Sequence, residues 1–209
     1  HPPAQRNRGM SAADASTLRL ALVGNPNCGK TALFNQLTGS RQKVANYAGV
    51  TVERKEGRLH STSSGRQYAV LDLPGAYSLH AASLDEAVTR DVCRGFYPGE
   101  PAPDVLVCVV DATNLRLHLR FALEVRELGK PMILAVNMMD AAQRRGIAID
   151  LAALERELGV PVVETVAVKH NGARALVEQI DRMAAHLHAP TGRLPEGTDV
   201  HAETRRLLS

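Results

Sequence analysis

Apolar and polar positions along this chain alternate between two periods. Apolar runs of strand length predict β-strands at residues 18–24, 51–60, 67–73, 105–111, 131–137 and 160–166. Helical spacing of apolar residues predicts helices between them, at residues 29–39, 84–94, 115–128, 151–158 and 173–187. The runs at 105–110 and 132–136 contain no polar residue, which is typical of parallel strands covered on both faces.

The second and third predicted strands are separated by the turn-forming residues 61–65, which indicate a hairpin. The polar residues 40–49 before this hairpin look like a connection. Because the other strands alternate with helices, the pattern predicts an α/β fold. We expect a mostly parallel six-stranded sheet with one antiparallel edge strand and helices on both faces.

The 209 residues suit one domain of fairly full size. We expect residues 1–16 to be a disordered lead-in and residues 17–188 to form the domain. The composition of residues 189–200 is that of a linker, rich in Pro, Gly and Thr. Residues 201–209 have the pattern of a helix that is cut short.

Composition and charge narrow the functional classes only a little. With 44% hydrophobic and 3% aromatic residues, the core must be mainly aliphatic. The formal charge of +3, with acids interspersed among the bases, gives no basis for a nucleic-acid partner. The cysteines at 28, 93 and 108 lack a metal or redox spacing, which favours reduced thiols in a cytoplasmic setting. No apolar run reaches the length of a membrane span.

Residues 24–31 carry the most specific motif, because Gly-Asn-Pro-Asn-Cys-Gly-Lys-Thr matches the phosphate-binding loop G-x-x-x-x-G-K-[ST]. A predicted strand precedes it and a predicted helix follows it, as the motif requires. Gly24 and Gly29 let the backbone N–H groups wrap around phosphate oxygens. We expect Lys30 to reach the β- and γ-phosphates and the Thr31 hydroxyl to hold Mg²⁺.

A second motif of the form D-x-x-G follows a predicted strand at residues 72–75. We expect Asp72 to act on Mg²⁺ through water and the Gly75 N–H to meet the γ-phosphate. Thr51, between the first helix and the second strand, would close on Mg²⁺ when the γ-phosphate is present. The residue after the motif is Ala76, whose side chain cannot orient an attacking water, so we expect slow intrinsic hydrolysis.

Asn137-Met138-Met139-Asp140 follows a predicted strand and departs in one position from the guanine motif N-K-x-D. The Asp140 carboxylate can accept hydrogen bonds from guanine N1–H and the exocyclic amine together, which adenine cannot offer. Asn137 would tie this segment to the phosphate loop, and the Met138 stem would cover the base. At the end of the last strand, a backbone N–H near Ala167 is expected to meet guanine O6.

Together these segments resemble the Ras-like P-loop G domains of the translation-factor-related class. The wording GNPNCGKTALFNQLTG, NYAGVTVERKEG, DLPGAYSL and NMMD is similar to the N-terminal cytosolic domain of the FeoB family, the bacterial ferrous iron transport protein B. The resemblance covers about residues 18–188. Members of the family usually carry Ser where Cys28 stands.

The resemblance implies a GTP-hydrolysing switch domain that regulates Fe²⁺ uptake at the cytoplasmic face of the bacterial inner membrane. It implies GTP/GDP, Mg²⁺ and K⁺ as cofactors, with a helical regulatory domain and a membrane domain in the same full-length protein. In cation-activated relatives the residue corresponding to Asn27 coordinates K⁺, together with carbonyls of residues 46–49. The oligomeric state, and whether hydrolysis drives or gates transport, are left open.

The site residues form three overlapping groups. The catalytic group comprises Lys30, Asn27, Thr51 and Gly75. The metal ligands are Thr31, Thr51 and Asp72 for Mg²⁺ and Asn27 for K⁺. The nucleotide-binding group comprises Asn25, Asn27, Cys28, Gly29, Lys30, Thr31, Ala32, Asn137, Met138, Asp140, Val166, Ala167 and Val168.

Two alternatives remain at this point. The same motifs serve RNA- or ribosome-associated GTPases, which would carry an appended basic RNA-binding domain that residues 189–209 do not supply. A GTP-dependent binding module with negligible turnover would instead act through the conformation of residues 40–49 and 74–83.

Overall fold

A computed structural model describes residues 17–187 of the chain. Its strands are β1 (Leu18–Gly24), β2 (Gln42–Asn46), β3 (Glu53–His60), β4 (Gln67–Asp72), β5 (Val105–Asp111), β6 (Met132–Asn137) and β7 (Val162–Thr165). Its helices are α1 (Lys30–Thr38), α2 (Leu84–Arg94), α3 (Leu115–Glu127), α4 (Met139–Arg144), α5 (Leu151–Leu158) and α6 (Arg174–Leu187). A short 3₁₀ turn, Ala112–Asn114, leads into α3.

The strands form one sheet in the order β2-β3-β4-β1-β5-β6-β7. β3 is antiparallel to both of its neighbours, and all other adjacent strands are parallel. The register brings strand ends together, since Leu22 lies opposite Asp72 and Asn137 lies opposite both Asp111 and Thr165. The polar residues that end these strands therefore meet at one edge of the sheet, where a nucleotide site of this fold is expected.

The number of strands predicted from the sequence, six, is wrong: the described residues form seven. The additional strand, β2, lies within residues 40–49, and all five of its side chains are exposed. It has no buried face and so no apolar alternation; it is held by backbone pairing with β3, from Gln42 opposite Gly57 to Asn46 opposite Glu53. The mostly parallel α/β sheet with an antiparallel edge region is confirmed.

Helices cover both faces of the sheet, as the apolar runs predicted. On one face α1 and α6 bury Phe34 and Leu176 against the sheet. On the other, α2 and α3 bury Val92 and Phe121, and α5 adds a partly buried apolar side. All six side chains of β6 are buried. The proposed lead-in (1–16), the linker (189–200) and the helix start (201–209) lie outside the described residues.

Candidate functional site

The phosphate loop joins the end of β1 to the first residue of α1. Gly29 has φ +89°, and a Cβ there would collide with the Asn137 Nδ2 atom. Only glycine fits, because the position requires both a left-handed backbone and the absence of a side chain. No side chain caps the start of α1, so the N–H groups of its first turn are left to face an anion.

Cys28 lies beneath this loop and is fully buried. A Cβ on Gly24 would come within 2.8 Å of Cys28 Sγ and 2.7 Å of the Val109 carbonyl oxygen, so the loop and the sheet are in close contact here. Burial raises the pKa of the Cys28 thiol, although Lys30 lowers it in part. Cys28 therefore contributes packing and its backbone carbonyl rather than a reactive thiolate.

Lys30 and Asp72 form a buried ion pair at the centre of the site. Lys30 Nζ also donates to the Leu73 carbonyl oxygen at 2.6 Å. Asp72 is the last residue of β4, so the pair joins the phosphate loop to the strand that carries the D-x-x-G motif. A second contact reinforces the junction, because the Ala76 N–H donates to the Gly24 carbonyl at 3.0 Å.

A recess of about 340 Å³ opens beside this ion pair. Five of the predicted site residues line it: Lys30, Thr31, Thr51, Asp72 and Gly75. Two hydroxyls and one carboxylate are the hard oxygen donors that Mg²⁺ requires, and the set therefore fits this ion. A larger recess of about 710 Å³ lies between the end of α1, the start of β2 and β3, and none of the predicted site residues lines it.

Three charged residues at the same recess were missed in the sequence, Glu53, Lys55 and Asp85. Lys55 lies opposite Asp72 in the β3–β4 register, and its ammonium is 3.8 Å from Glu53 Oε2. The signal was the period of two in β3, which places Glu53 and Lys55 on the same face of that strand. They give the mouth of the recess a mixed charge.

Asn137 connects three segments of the site through one amide. Its Nδ2 donates to the Cys28 carbonyl at 3.2 Å, so the predicted tie to the phosphate loop is present. Its Oδ1 accepts from the Ala167 N–H at 3.2 Å and from the Thr165 hydroxyl at 3.4 Å. The Ala167 N–H, predicted to meet guanine O6, thus already has an acceptor and would have to share or exchange it.

Asp140 is the second residue of α4. Met138, the residue just before the helix, has φ +66°. A left-handed conformation is uncommon for a residue with a side chain, and it turns the chain sharply between β6 and α4. The Ala141 N–H and then Arg144 lower the pKa of the Asp140 carboxyl. The carboxylate is therefore ionised and able to accept two hydrogen bonds at neutral pH.

The loop after β7 closes on itself near Asp140. The Val166 N–H donates to the Gly172 carbonyl at 2.9 Å, and Gln36 of α1 donates to the Lys169 carbonyl at 2.6 Å. Val168 is 86% exposed, so the predicted base-binding loop has its apolar side chain in the open.

Two asparagines of the phosphate loop differ from each other. Asn27 is exposed, has φ +65°, and its side chain has no hydrogen-bond partner among residues 17–187. Asn25 is only 2% exposed, and neither polar atom of its amide has a partner within the described chain. Asn27 is thus free to coordinate a ligand, whereas Asn25 is enclosed.

Residues 74–83, which we call the second switch segment, are held by Glu86 of α2. The Glu86 carboxylate accepts from the N–H groups of Tyr77 (2.8 Å), Ala82 (3.1 Å) and Ser78 (3.2 Å). Burial alone would raise the pKa of Glu86, but these three hydrogen bonds leave it below its usual value. The carboxylate anchors the segment to the start of α2.

Other chemistry is limited in the part of the chain that is described. No three His, Cys, Asp or Glu side chains between residues 17 and 187 are grouped to hold a metal ion. The cysteines at 28, 93 and 108 are buried and free. Among the described helices, none is long and apolar enough to cross a membrane.

The parallel sheet, the glycine-lined loop with its Lys30–Asp72 pair, and the Asn137–Asp140 segment at the same sheet edge define a Ras-like P-loop G domain. The family model for ferrous iron transport protein B matches residues 18–180. This chain belongs to the FeoB family.

Known relatives support this assignment at high similarity. The Fe(2+) transporter FeoB of Escherichia coli K12 is 47% identical over 170 residues, which are 81% of this chain and 22% of the relative. The Fe(2+) transporter FeoB of Salmonella typhimurium gives the same identity and coverage. The chain thus spans 22% of the length of these curated relatives.

Solved structures of the family share the fold. The G domain of the T. maritima FeoB iron transporter has a TM-score of 0.71 and 42% identity, covering 80% of this chain and 99% of that one. The FeoB G domain of Methanococcus jannaschii has a TM-score of 0.68 and 39% identity over 80% of this chain and 97% of that one. The T. maritima cytosolic domain in a GDP form has a TM-score of 0.73 and 42% identity, over 80% and 63%.

Proposed function

We propose that residues 17–188 bind GTP and GDP with Mg²⁺ and hydrolyse GTP to GDP and phosphate at a slow intrinsic rate. The observation that carries this proposal is the recess shared by Lys30, Thr31, Thr51, Asp72 and Gly75. These residues come from three separate segments of the chain, and each has the side chain or backbone group that phosphoryl transfer needs.

Some of these residues would bind the phosphates, and others would hold Mg²⁺. Lys30 would exchange its contact with Asp72 for the β- and γ-phosphates, and the Gly75 N–H would hold a γ-phosphate oxygen. Thr31, Thr51 and Asp72 would hold Mg²⁺, which when bound neutralises phosphate charge. Ala76 cannot orient a water through its side chain, so catalysis would rest on positioning and on the fixed dipoles of the loop.

Asn27 supports a role for K⁺ in this reaction. It is exposed, its backbone is left-handed, and its amide is free within the described chain. We propose that its Oδ1 coordinates K⁺ together with carbonyls of residues 46–49, adding positive charge where other G proteins place an arginine.

Asp140 would select guanine. Its lowered pKa keeps it an acceptor, and it lies at the same sheet edge as Asn137 and the 166–168 backbone. Met138 would cover the base, and a backbone N–H of residues 166–168 would reach O6. Asn25, Cys28, Gly29 and Ala32 would contribute through the backbone of the phosphate loop.

The whole protein's role is a further step. The curated relatives are named Fe(2+) transporters, and a T. maritima relative has been solved in a GDP form. We propose that this domain regulates Fe²⁺ uptake from the cytoplasmic face of the bacterial inner membrane. This chain spans 22% of the relatives' length, and the remainder of such a protein has room for a helical regulatory domain and a membrane domain.

Titration with a fluorescent mant-GDP and displacement by GTP or ATP tests the binding proposal. We expect GTP to displace the probe and ATP to fail by at least 100-fold; equal displacement by both would contradict the role of Asp140. Phosphate release measured in KCl and in NaCl tests hydrolysis and the cation. We expect faster release in KCl, and equal rates would remove Asn27 from catalysis.

A GTP-dependent binding module is the second candidate, because Ala76 offers no group to activate water. Single-turnover hydrolysis separates the two functions. A domain that binds a non-hydrolysable GTP analogue tightly, yet converts no GTP in K⁺ over many hours, acts as a binding module.

A further inference from the structure

The connection that follows α2 touches the chain on both sides of Thr51. We call residues 97–100 the clasp and residues 46–51 the first switch segment. We propose that the clasp holds the first switch segment in place, so that Thr51 faces the phosphate recess before the nucleotide arrives, and that this raises the domain's preference for GTP over GDP. Tyr97 is then a positioning residue.

The first switch segment has little else to hold it. From residue 41 to residue 51, Tyr47 is the one buried side chain, at 1% exposed, and Val50 is half-buried. β2, which precedes the segment, has no buried side chain. Within the segment, short-range hydrogen bonds join Tyr47 N–H to the Val52 carbonyl at 2.9 Å and Val50 N–H to the Tyr47 carbonyl at 3.2 Å. Such a segment is expected to open at low cost unless something outside it contributes.

Tyr97 makes two contacts with the segment. Its hydroxyl donates to the Ala48 carbonyl at 2.6 Å. Its ring meets the Tyr47 ring edge to face, with the ring centroids 5.4 Å apart and the ring planes at 65°. An edge-to-face pair is favourable beyond the area that it buries. Tyr97 therefore fixes both the one buried anchor of the segment and the carbonyl next to it.

Glu100 holds the other side of Thr51. Its carboxylate accepts from Arg54 Nε and, at 3.2 Å, from Arg54 Nη2, in the two-pronged geometry that Arg favours. Its N–H donates to the Tyr97 carbonyl at 3.1 Å, so the two clasp residues form one turn. Thr51 lies between Ala48 and Arg54, both of which are held by this turn.

The clasp is itself attached to a rigid element. Gly95 ends α2 in a left-handed conformation, and the Gly95 and Phe96 N–H groups return to the Val92 and Asp91 carbonyls. At the other end of α2, Glu86 holds the second switch segment. One helix of 11 residues thus carries a contact to each switch segment.

One group opposes the held conformation. The Tyr47 hydroxyl is buried and has no hydrogen-bond partner among residues 17–187. A buried hydroxyl without a partner is unfavourable compared with its hydration in the open segment. The two tyrosine hydroxyls should therefore have opposite effects: that of Tyr97 favours the held conformation, and that of Tyr47 disfavours it.

The effect on nucleotide preference follows from where Thr51 acts, and it rests on the function proposed above. The Thr51 hydroxyl contributes only when the γ-phosphate is present, so the cost of ordering residues 46–51 falls on GTP binding and not on GDP binding. A segment ordered in advance reduces that cost. Releasing the clasp should weaken GTP binding selectively.

The test compares Tyr97→Phe with wild type for a fluorescent non-hydrolysable GTP analogue and for mant-GDP, with Mg²⁺. We expect the affinity for the triphosphate to fall about five-fold, the factor that one ordinary hydrogen bond represents, while that for GDP stays within about two-fold. Tyr68→Phe is the matched control, because Tyr68 donates to Asp181 at 2.5 Å on the opposite face of the sheet. It should change neither affinity.

Two more variants sharpen the test. Tyr47→Phe keeps the ring and removes the unpartnered hydroxyl, so we expect a higher triphosphate affinity, by about two- to five-fold. Glu100→Gln keeps the shape of the turn and removes its charge, so it should weaken triphosphate binding selectively; it also serves if Tyr97→Phe does not fold.

Hydrogen exchange of the residue 46–51 amides without nucleotide gives a readout independent of GTP. We expect faster exchange in Tyr97→Phe than in wild type. Unchanged exchange, an equal loss of affinity for both nucleotides, or tighter triphosphate binding by Tyr97→Phe would each overturn the clasp. If the wild type binds neither nucleotide, the proposed function fails, and the exchange experiment still decides whether the clasp holds the segment.

Discussion

The phosphate loop and the first switch segment lie on the same recess but are built in different ways. The loop is part of the core: Cys28 is buried beneath it, Lys30 is buried within it, and Asn137 ties it to the next strands. The first switch segment is exposed except for the buried Tyr47 and the half-buried Val50, and it depends on residues far along the chain. The phosphate loop, which we call the fixed half of the site, is thus part of the folded core. The first switch segment, the attached half, is held to that core by a few contacts.

This difference separates two kinds of ligand recognition. An anion cradle whose backbone is preformed would contribute affinity for GDP and GTP alike. A segment held by a few contacts can respond to one additional phosphate, because a small free energy moves it. The same sheet edge therefore combines tight binding with a conformational response.

We expect the largest effect from a substitution that distorts the phosphate loop, the fixed half of the site. In Gly29→Ala, the new methyl group collides with Asn137 Nδ2 and the backbone is forced from φ +89°. We expect mant-GDP affinity to fall by more than about 100-fold, through strain and loss of the Asn137 tie. Gly39→Ala is the control: its φ is also positive, at +63°, but a Cβ there has open space. A Gly29→Ala protein with normal affinity would show that the cradle is not preformed.

We expect the next largest effect from removing the charge of Asp140, the residue proposed to bind the guanine base. Asp140→Asn replaces a carboxylate, which accepts two hydrogen bonds, by an amide, which accepts one and donates one, so we expect GTP affinity to fall by about 100-fold. Xanthine carries an oxygen where guanine carries the amine, and xanthosine triphosphate should bind the variant better than GTP does. Competition titrations with GTP and xanthosine triphosphate measure this change in nucleotide preference. Parallel losses for the two would argue against base recognition by this residue.

A smaller effect should appear in a switch segment and leave the cradle intact. Burial would raise the pKa of Glu86, but the hydrogen bonds that its carboxylate accepts from three N–H groups leave this pKa below its usual value. Its contribution to stability is therefore present above the unfolded pKa and is lost as the pH falls through the folded pKa. We expect the Tyr77, Ser78 and Ala82 amides to lose exchange protection as the pH falls through the lowered, folded-state pKa of Glu86, after correction for intrinsic rates.

Glu86→Gln provides the comparison for that experiment. It should expose the same three amides at neutral pH, by about ten-fold in exchange rate, since each lost charge-assisted hydrogen bond is worth roughly 1.5 kcal/mol or more. Its mant-GDP affinity should stay near that of the wild type. A large loss of GDP affinity would mean that the second switch segment supports the cradle.

We expect the smallest effect from a substitution at Cys28, beneath the phosphate loop. Cys28 contributes packing and a carbonyl oxygen, so Cys28→Ser should leave GDP affinity within about two-fold while lowering the free energy of unfolding by about 1 kcal/mol through a buried hydroxyl. Thermal unfolding and mant-GDP titration measure the two quantities. Reduced GDP affinity without reduced stability would assign the sulfur a direct role in binding.

Much of the fixed half could be predicted from the sequence, because its motifs are short and contiguous. The 24–31 loop places glycines, lysine and threonine at a spacing that only a strand–loop–helix turn can use. The D-x-x-G and Asn137–Asp140 segments follow apolar runs, so parallel strands carry them to the same edge. The central strands were predicted for the same reason, since burial on both faces leaves an unmistakable run.

For the first switch segment the sequence predicts Thr51 as a site residue, but the contacts that hold the segment could not be predicted, because no local period records them. β2 has five exposed side chains and is defined only by backbone pairing with β3. Glu53 and Lys55 have the pattern of ordinary strand charges; only the register, which sets Lys55 opposite Asp72, and the shape of the recess that both line show their place in the site. The contact between Tyr97 and Ala48 joins residues 49 positions apart, and nothing in either local sequence indicates the other.

The ion pair between Lys30 and Asp72 makes two ligands dependent on each other. A phosphate that draws Lys30 away leaves the Asp72 carboxylate without its cation, and a magnesium ion that takes Asp72 leaves Lys30 without its anion. With nucleotide and Mg²⁺ bound as proposed, each would restore the charge balance that the other disturbs, which would be a positive coupling between them. Nucleotide and metal should therefore arrive and depart as one neutralised unit, while either alone has to break a buried pair.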